Sequence, residues 1–301
     1  TNVTRHISSV MRSWYLDYAA ATPVDPRVLR AMRPYWSETF GNPGSLHRMG
    51  AEALAVLDKA RDTLAKCAGV GFRSVVFTAS ATEANNLALR GVVRVARRAV
   101  PQIIVSAVEH DSVLETARDM ERAGEVELVV LPVDRKGAVD LKKLEAALDE
   151  RTVLVSVMYV NNELGTIQPI SEIAEIIRRH KFPASGYPLF HTDAAQAFLY
   201  YPCDVKALGV DLMTLSSQKI YGPKGAGALV GRIDTVRPLV TGGGQEFGFR
   251  AGTENIPAIA GFAAAAEIAE RERTKNVKHA VQVRNAFVAE LVKAFPGVEE
   301  N

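Results

Sequence analysis

Seven short runs constrain this chain more than anything else in it: SVVFTAS (74–80), QIIVSAV (102–108), VELVVLPV (126–133), TVLVSVMYV (152–160), YPLFHTD (187–193), DLMTLSS (211–217) and GALVGRI (227–233). Several are apolar almost throughout, the pattern of a strand covered on both faces. Between them lie helical patterns, TEANNLALRGVVRVARRA (82–99), DSVLETARDMERAG (111–124), DLKKLEAALDE (140–150) and ISEIAEIIRRHK (170–181). Strand and helix in repeated alternation predict an α/β domain with a mostly parallel central sheet and helices on both faces. After Pro257 the pattern is helical as far as Phe295. That helix is expected to lead out of the sheet domain.

Several function classes drop out on composition. Lys and Arg number 36 against 34 Asp and Glu, a formal charge of +2, so the chain has no basic field of the kind that holds nucleic acid. No apolar run is long enough to span a bilayer, and TNVTRHISSVMRSW lacks the apolar core of a secretory signal. Cys67 and Cys203, the two cysteines, are too few for a disulfide framework. A cytoplasmic protein is expected. No close His/Cys/His spacing offers a zinc site.

In open α/β sheets ligands sit beyond the carboxyl ends of the strands. Five strand ends carry small polar or ionisable residues: Ser80 to Glu83, Glu109 and His110, Asn161 to Glu163, Asp193 to Gln196, and Ser216 to Lys219. Taken singly, each is an ordinary loop or helix cap. Taken together, they point to one site. FTASATEANNLAL runs from a strand into a helix, with Thr82 expected as the cap, and a helix N-terminus with a hydroxyl suits a phosphate. Asp193 ends a strand where a carboxylate can face a protonated ring nitrogen, and Gln196 lies three residues on. Lys219 stands between Ser216, Ser217 and Gln218 and the turn YGPKGAG, a setting that suits a partly desolvated amine for Schiff-base chemistry. His110 is placed to lie over a flat ring and move protons. YGPKGAG is not a P-loop, because the glycine and lysine spacing is wrong.

These residues and their neighbours resemble a known family. YLDYAAATPVDPRVLRAM, FGNPGSLHRMG, VVFTASATEANNLAL, VEHDSVL, VSVMYVNNELGTIQPI, HTDAAQAF, SSQKIYGPKGAGAL and GGGQEFGFRAGTENI occur in the order found in cysteine desulfurases of the NifS/IscS type. Those are class V members of the fold type I pyridoxal-phosphate enzymes. The resemblance implies that Lys219 binds pyridoxal 5'-phosphate covalently and later moves protons, and that Asp193 pairs with its ring nitrogen. It implies that Gln196 and Asn162 contact the phenolic oxygen, with Asn162 also reaching the substrate carboxylate. His110 is implied to stack on the ring, and Ala81, Thr82, Ser216 and Gln218 to cradle the phosphate. Thr253 is implied to reach the phosphate of the other subunit in a homodimer with shared sites.

The implied reaction converts L-cysteine to L-alanine and passes sulfur, through an enzyme thiol, to a scaffold or acceptor protein for iron–sulfur or thio-cofactor assembly. Two departures stand out. Gln218 replaces a histidine common in the family, and no cysteine follows Lys219. The loop bearing the family's nucleophilic cysteine is expected beyond Asn301, as part of a small C-terminal domain. The expected organisation is a leader over 1–14 with Met11 a candidate start, a cofactor-binding domain over 15–256, and a helix over 257–301 entering that small domain. Apolar surface left on this helix is expected to make the chain poorly soluble. Alternatives are another class V reaction, selenocysteine cleavage or transamination, and a non-catalytic partner that keeps the fold.

Overall fold

The computed structural model describes residues 14–96, 99–182 and 186–299. The expected leader over 1–14, apart from Trp14, and the candidate start at Met11 lie outside the described residues. In chain order the elements are α1 (Pro26–Met32), α2 (Pro34–Ser37), α3 (Arg48–Cys67), β1 (Val75–Thr78), α4 (Ala81–Ala96), β2 (Gln102–Ser106) and α5 (Asp111–Arg122). They continue with β3 (Glu127–Leu131), α6 (Leu141–Ala147), β4 (Thr152–Ser156), α7 (Ile170–Arg179) and β5 (Leu189–Asp193). The last are α8 (Val205–Leu208), β6 (Leu212–Ser216), β7 (Gly227–Gly231) and α9 (Ile256–Ala294).

All seven expected strands form one sheet, in the order β1-β7-β6-β5-β4-β2-β3. β2 to β6 run parallel to one another, and β7 runs antiparallel between β1 and β6. Residues alternate between two cores, as the period of two requires. On one face Val76, Ile103, Leu154, Leu189, Leu212 and Leu229 pack with Leu87 and Val92 of α4 and Val113 and Met120 of α5. On the other face Val75, Phe77, Ile104, Val155, Phe190, Met213 and Val230 pack with Leu57 and Leu64 of α3, Ile173 of α7 and Phe262 of α9. Burial on both faces is why six of the strands read as apolar runs rather than as alternating ones, while β3, at the sheet edge, is only partly buried.

α9 divides in two along its length. Its start is capped by Asn255, whose side chain accepts from Ala258 N at 3.2 Å. Its buried residues, Ile256 to Ala269, belong to the sheet-domain core. Arg27 pairs with Glu272 and ties α1 to the next turn. Farther on, Val281, Phe287 and Val292 are exposed. Among the described residues no helix is long and apolar enough to cross a membrane.

Candidate active site

The parallel strands all end on one edge of the sheet, and a cleft opens there. It is lined by Ser80, Ala81, Thr82, His110, Ser112, Met158, Val160, Asn162, Asp193, Ala195, Gln196, Ser216, Gln218 and Lys219. Nine of the ten residues to which the resemblance gives a role therefore meet in one place. Thr253 is the exception: it is exposed and does not line the cleft.

The β1–α4 turn forms one wall. Ser80, not Thr82, caps the helix, its Oγ accepting from Glu83 N at 3.2 Å. The helix begins two residues earlier than the capping expectation placed it, so Thr82 stands in the first turn. Gly227 makes the close approach possible, because a Cβ there would lie 2.5 Å from Ser80 C and 2.7 Å from Ala81 N. Glu83 ties the turn to the glycine-rich segment that carries Thr253. Its Oε2 accepts from Ala79 N at 2.7 Å and its Oε1 from Arg250 Nε at 2.8 Å.

Asp193 ends β5, 5% exposed. Its Oδ1 accepts from Ala195 N at 2.9 Å, a local turn contact, and its Oδ2 accepts from Asn85 Nδ2 at 2.7 Å. Burial raises its carboxyl above the usual range, while the Asn85 and Ala195 hydrogen bonds and the charges of His110 and Lys219 oppose the rise. Asn85 sits inside α4 and shows nothing of this role in the sequence.

His110 caps α5. Ser112 N donates to its Nδ1 at 3.0 Å, which leaves the ring proton of the neutral form on Nε2. Lys219 follows β6 in a 3-10 turn, half-buried. Burial lowers the pKa of its amine and the nearby Asp193 charge opposes that.

A strap that sequence reasoning missed crosses the lysine. Lys219 Nζ donates to Ala19 O at 2.5 Å and Ala20 O at 2.7 Å, and Gln196 Nε2 donates to Ala19 O at 2.9 Å. Thr22 fastens the strap, its Oγ1 donating to Gln218 O at 2.8 Å and accepting from Tyr221 N at 3.0 Å. Main-chain carbonyls do this work, so no residue type could have signalled it.

Neither cysteine is near the form a nucleophile needs. Cys67, the last residue of α3, is half-buried, and burial pushes its thiol up to about 12. Cys203 is 1% exposed, and burial raises its thiol further still. Among the described residues no group of His, Cys, Asp and Glu is arranged to hold a metal.

A sheet of this order, with an amine, a buried carboxylate and a helix N-terminus at one cleft, defines a class, and the family comparison agrees: the chain belongs to the aminotransferase class-V family, whose model matches residues 14–300. Within it, the relatives are cysteine desulfurases. It is 42% identical over 291 residues to "Cysteine desulfurase IscS" of Dictyoglomus turgidum, covering 96% of this chain and 72% of that protein. It is also 42% identical to the human "Cysteine desulfurase", covering 100% of this chain and 65% of that one. Among solved structures, a "NIFS-LIKE PROTEIN" superposes with a TM-score of 0.88 at 40% identity over 93% of this chain and 75% of that one. "SspA in complex with cysteine" superposes at 0.79 with 38% identity, over 85% and 72% respectively.

Proposed function

We propose that this chain binds pyridoxal 5'-phosphate in the strand-end cleft and acts as a cysteine desulfurase on L-cysteine. The observation that carries the reading is the convergence of Lys219, Asp193 and the N-terminus of α4 in one cleft. Those residues fit the cofactor by their chemistry. The first amides of α4 lack intrahelical acceptors, and with Thr82, Ser216 and Gln218 they make a donor set for a phosphate. Asp193 supplies an anion for a protonated ring nitrogen, Gln196 and Asn162 supply amides for the phenolic oxygen, and Lys219 supplies the amine.

When bound, the cofactor supplies an electron sink that makes the α-proton of an amino acid acidic. The chain's residues do the rest. Lys219, with its pKa lowered by desolvation, has a neutral fraction to take and return a proton. His110, with Nδ1 engaged by Ser112, presents Nε2 for a second transfer. Asn162 orients the substrate carboxylate. In the net reaction the cysteine Cβ–S bond breaks, a proton replaces sulfur at Cβ, and alanine leaves. The sulfur forms an S–S bond with an acceptor thiol, giving a persulfide. These 301 residues do not supply that thiol in reactive form, since Cys67 and Cys203 are both packed and held protonated.

The reading includes a homodimer in which Thr253 reaches the phosphate of the neighbouring site. Its support is that Thr253 is exposed, on a segment anchored to the cleft wall through Arg250 and Glu83.

The test is an absorption spectrum of the purified chain with added pyridoxal phosphate, then borohydride reduction and peptide mapping. A visible band with the reduced adduct on Lys219 is expected. No band in folded protein would sink the reading and favour the non-catalytic partner.

A further inference from the structure

Glu109 stands one residue before His110 at the exit of β2, 7% exposed and outside the lining of the cleft. Its Oε1 accepts from Ser106 Oγ at 2.5 Å, at the end of its own strand, and from Met158 N at 2.7 Å, at the exit of β4. A second link runs beside the first, Asn161 Nδ2 donating to Val108 O at 2.9 Å. Asn161 also stiffens its own loop, its Oδ1 accepting from Glu163 N at 2.9 Å and Leu164 N at 2.7 Å. The loop that presents His110 and the loop that presents Asn162 are thus joined at two points.

We propose that Glu109 is a positioning residue, the clamp that fixes His110 and Asn162 relative to each other across the cofactor cleft. The proposal rests on the pyridoxal-phosphate reading of that cleft.

Glu109 holds the clamp as the neutral acid. Burial pushes its carboxyl up to about 8 against the opposing pull of the Ser106 and Met158 hydrogen bonds, and the Asp193 charge adds to the rise. Its Oε2 is buried with no partner among the described residues, a poor place for a full negative charge. The groups that face it are the Ser106 hydroxyl, the Met158 amide and the Asp193 carboxylate, and Asp193 in turn feels the charges of His110 and Lys219. Once ionised, Glu109 sets a second anion beside Asp193, next to a site made for a phosphate-bearing ligand. Affinity for that ligand then falls.

The test compares Glu109→Gln and Glu109→Leu with the unaltered 301-residue chain. Glutamine keeps an acceptor for Ser106 and Met158 but cannot ionise; leucine keeps neither. The first readout is the dissociation constant for pyridoxal phosphate from about pH 6 to about pH 10. The unaltered chain is expected to lose about tenfold in affinity, relative to Glu109→Gln, as pH rises through 8. Lys219 titrates in both proteins, so the ratio of the two profiles isolates Glu109. Near neutral pH Glu109→Gln is expected within about threefold of the unaltered chain, and Glu109→Leu about tenfold weaker at every pH.

The second readout needs no cofactor. A folded carboxyl raised to about 8 holds a proton that the unfolded chain gives up near 4.5, so it lowers stability progressively as pH rises between those values. Glu109→Gln is therefore expected to melt at higher temperature than the unaltered chain, by a margin that widens over that window. A Glu109→Gln affinity profile that tracks the unaltered chain through pH 8 overturns the proposal, and so does a Glu109→Leu protein that binds normally. Should Glu109→Leu fail to fold, the glutamine profile decides alone. If the unaltered chain binds no cofactor at any pH while folded, the reading of the cleft fails, and the stability readout still judges the protonation of Glu109.

Discussion

Asn85 gives both hydrogens of its side-chain amide to the site: one to Asp193 Oδ2 at 2.7 Å, the other to Ser112 Oγ at 2.8 Å. Ser112 in turn meets His110 Nδ1 at 2.8 Å. One buried residue of α4 thus sets the carboxylate below the cleft and the histidine at its rim.

Asn85→Ala leaves Asp193 Oδ2 buried without its partner, which costs about 1–3 kcal/mol of stability. The same change raises the Asp193 carboxyl further, since the hydrogen bond from Asn85 holds it down. Weaker pyridoxal-phosphate binding is expected together with a lower urea midpoint. An Asn85→Ala protein with unaltered midpoint and affinity would show that Asp193 needs no such support.

Lys219 should react with aldehydes at lower pH than an ordinary lysine. Burial lowers its pKa from the usual 10.5, so its neutral fraction is larger near neutrality. Reductive labelling followed by peptide mapping should reach half its maximum at lower pH on Lys219 than on Lys224, which is exposed five residues on. Lys219→Ala should lose only the first of these adducts. Equal profiles at the two sites would count against an activated amine.

The sheet and the cleft were legible in the sequence for one physical reason. Strands buried on both faces read as apolar runs, and the polar residues that interrupt them, such as Asp193 after Leu189 and Phe190, mark where the strands end. What escaped had no such contrast. The strap carbonyls of Ala19 and Ala20 belong to residues whose side chains say nothing. Asn85 sits in a helix pattern where a polar residue reads as surface, yet it is fully buried. Ser80 rather than Thr82 caps α4, a two-residue difference that two hydroxyl candidates so close together could not settle. The length of α9 was visible, but not that its first turns belong to the sheet-domain core.

His191 should show itself in acid. It lies fully buried between Ser156 Oγ at 2.8 Å and Thr214 Oγ1 at 3.0 Å, and burial lowers its pKa from 6.5 to about 3. Folded His191 binds fewer protons than the unfolded chain between those values, so stability rises with pH through that window. The contribution is complete above pH 6.5 and lost as pH falls toward 3, at up to ~1.4 kcal/mol per pH unit. His191→Gln should flatten this acid limb in denaturation curves taken over the window. Glu109 and Asp193 titrate with the opposite sign in both proteins and cancel in the difference. An acid limb as steep in the variant as in the parent would mean that His191 is not the group responsible.

The far half of α9 presents Val281, Phe287 and Val292 to solvent, at 51%, 66% and 47% exposure. Such apolar surface favours association. Sedimentation should show species larger than a dimer as concentration rises, and Phe287→Ser should reduce them. A chain that stays at one small size at high concentration would speak against this surface as a source of aggregation.

Arg61 and Glu246 hold the segment that carries Thr253. They pair at 2.7 Å with both side chains almost fully buried. Glu246 Oε2 also accepts from Phe77 N at 2.7 Å, and Arg61 Nη1 donates to Val75 O at 2.6 Å, so the pair fastens the segment to β1. The segment bends sharply there, with Glu246 at φ +49° and Phe247 at φ +57°, a conformation side chains rarely adopt. The guanidinium stacks on Phe247 at 4.8 Å and Phe77 at 5.1 Å. Removing one partner strands a buried charge, so Glu246→Gln and Arg61→Met should each cost about 3–5 kcal/mol in urea denaturation. Together they should cost much less than the sum, because the second change removes the charge the first left unpaired. Limited proteolysis of Glu246→Gln should cut first between residues 241 and 255, where the fastening is lost. Additive costs in the double variant, with cleavage no faster there than in the parent, would mean that the bend holds without the ion pair.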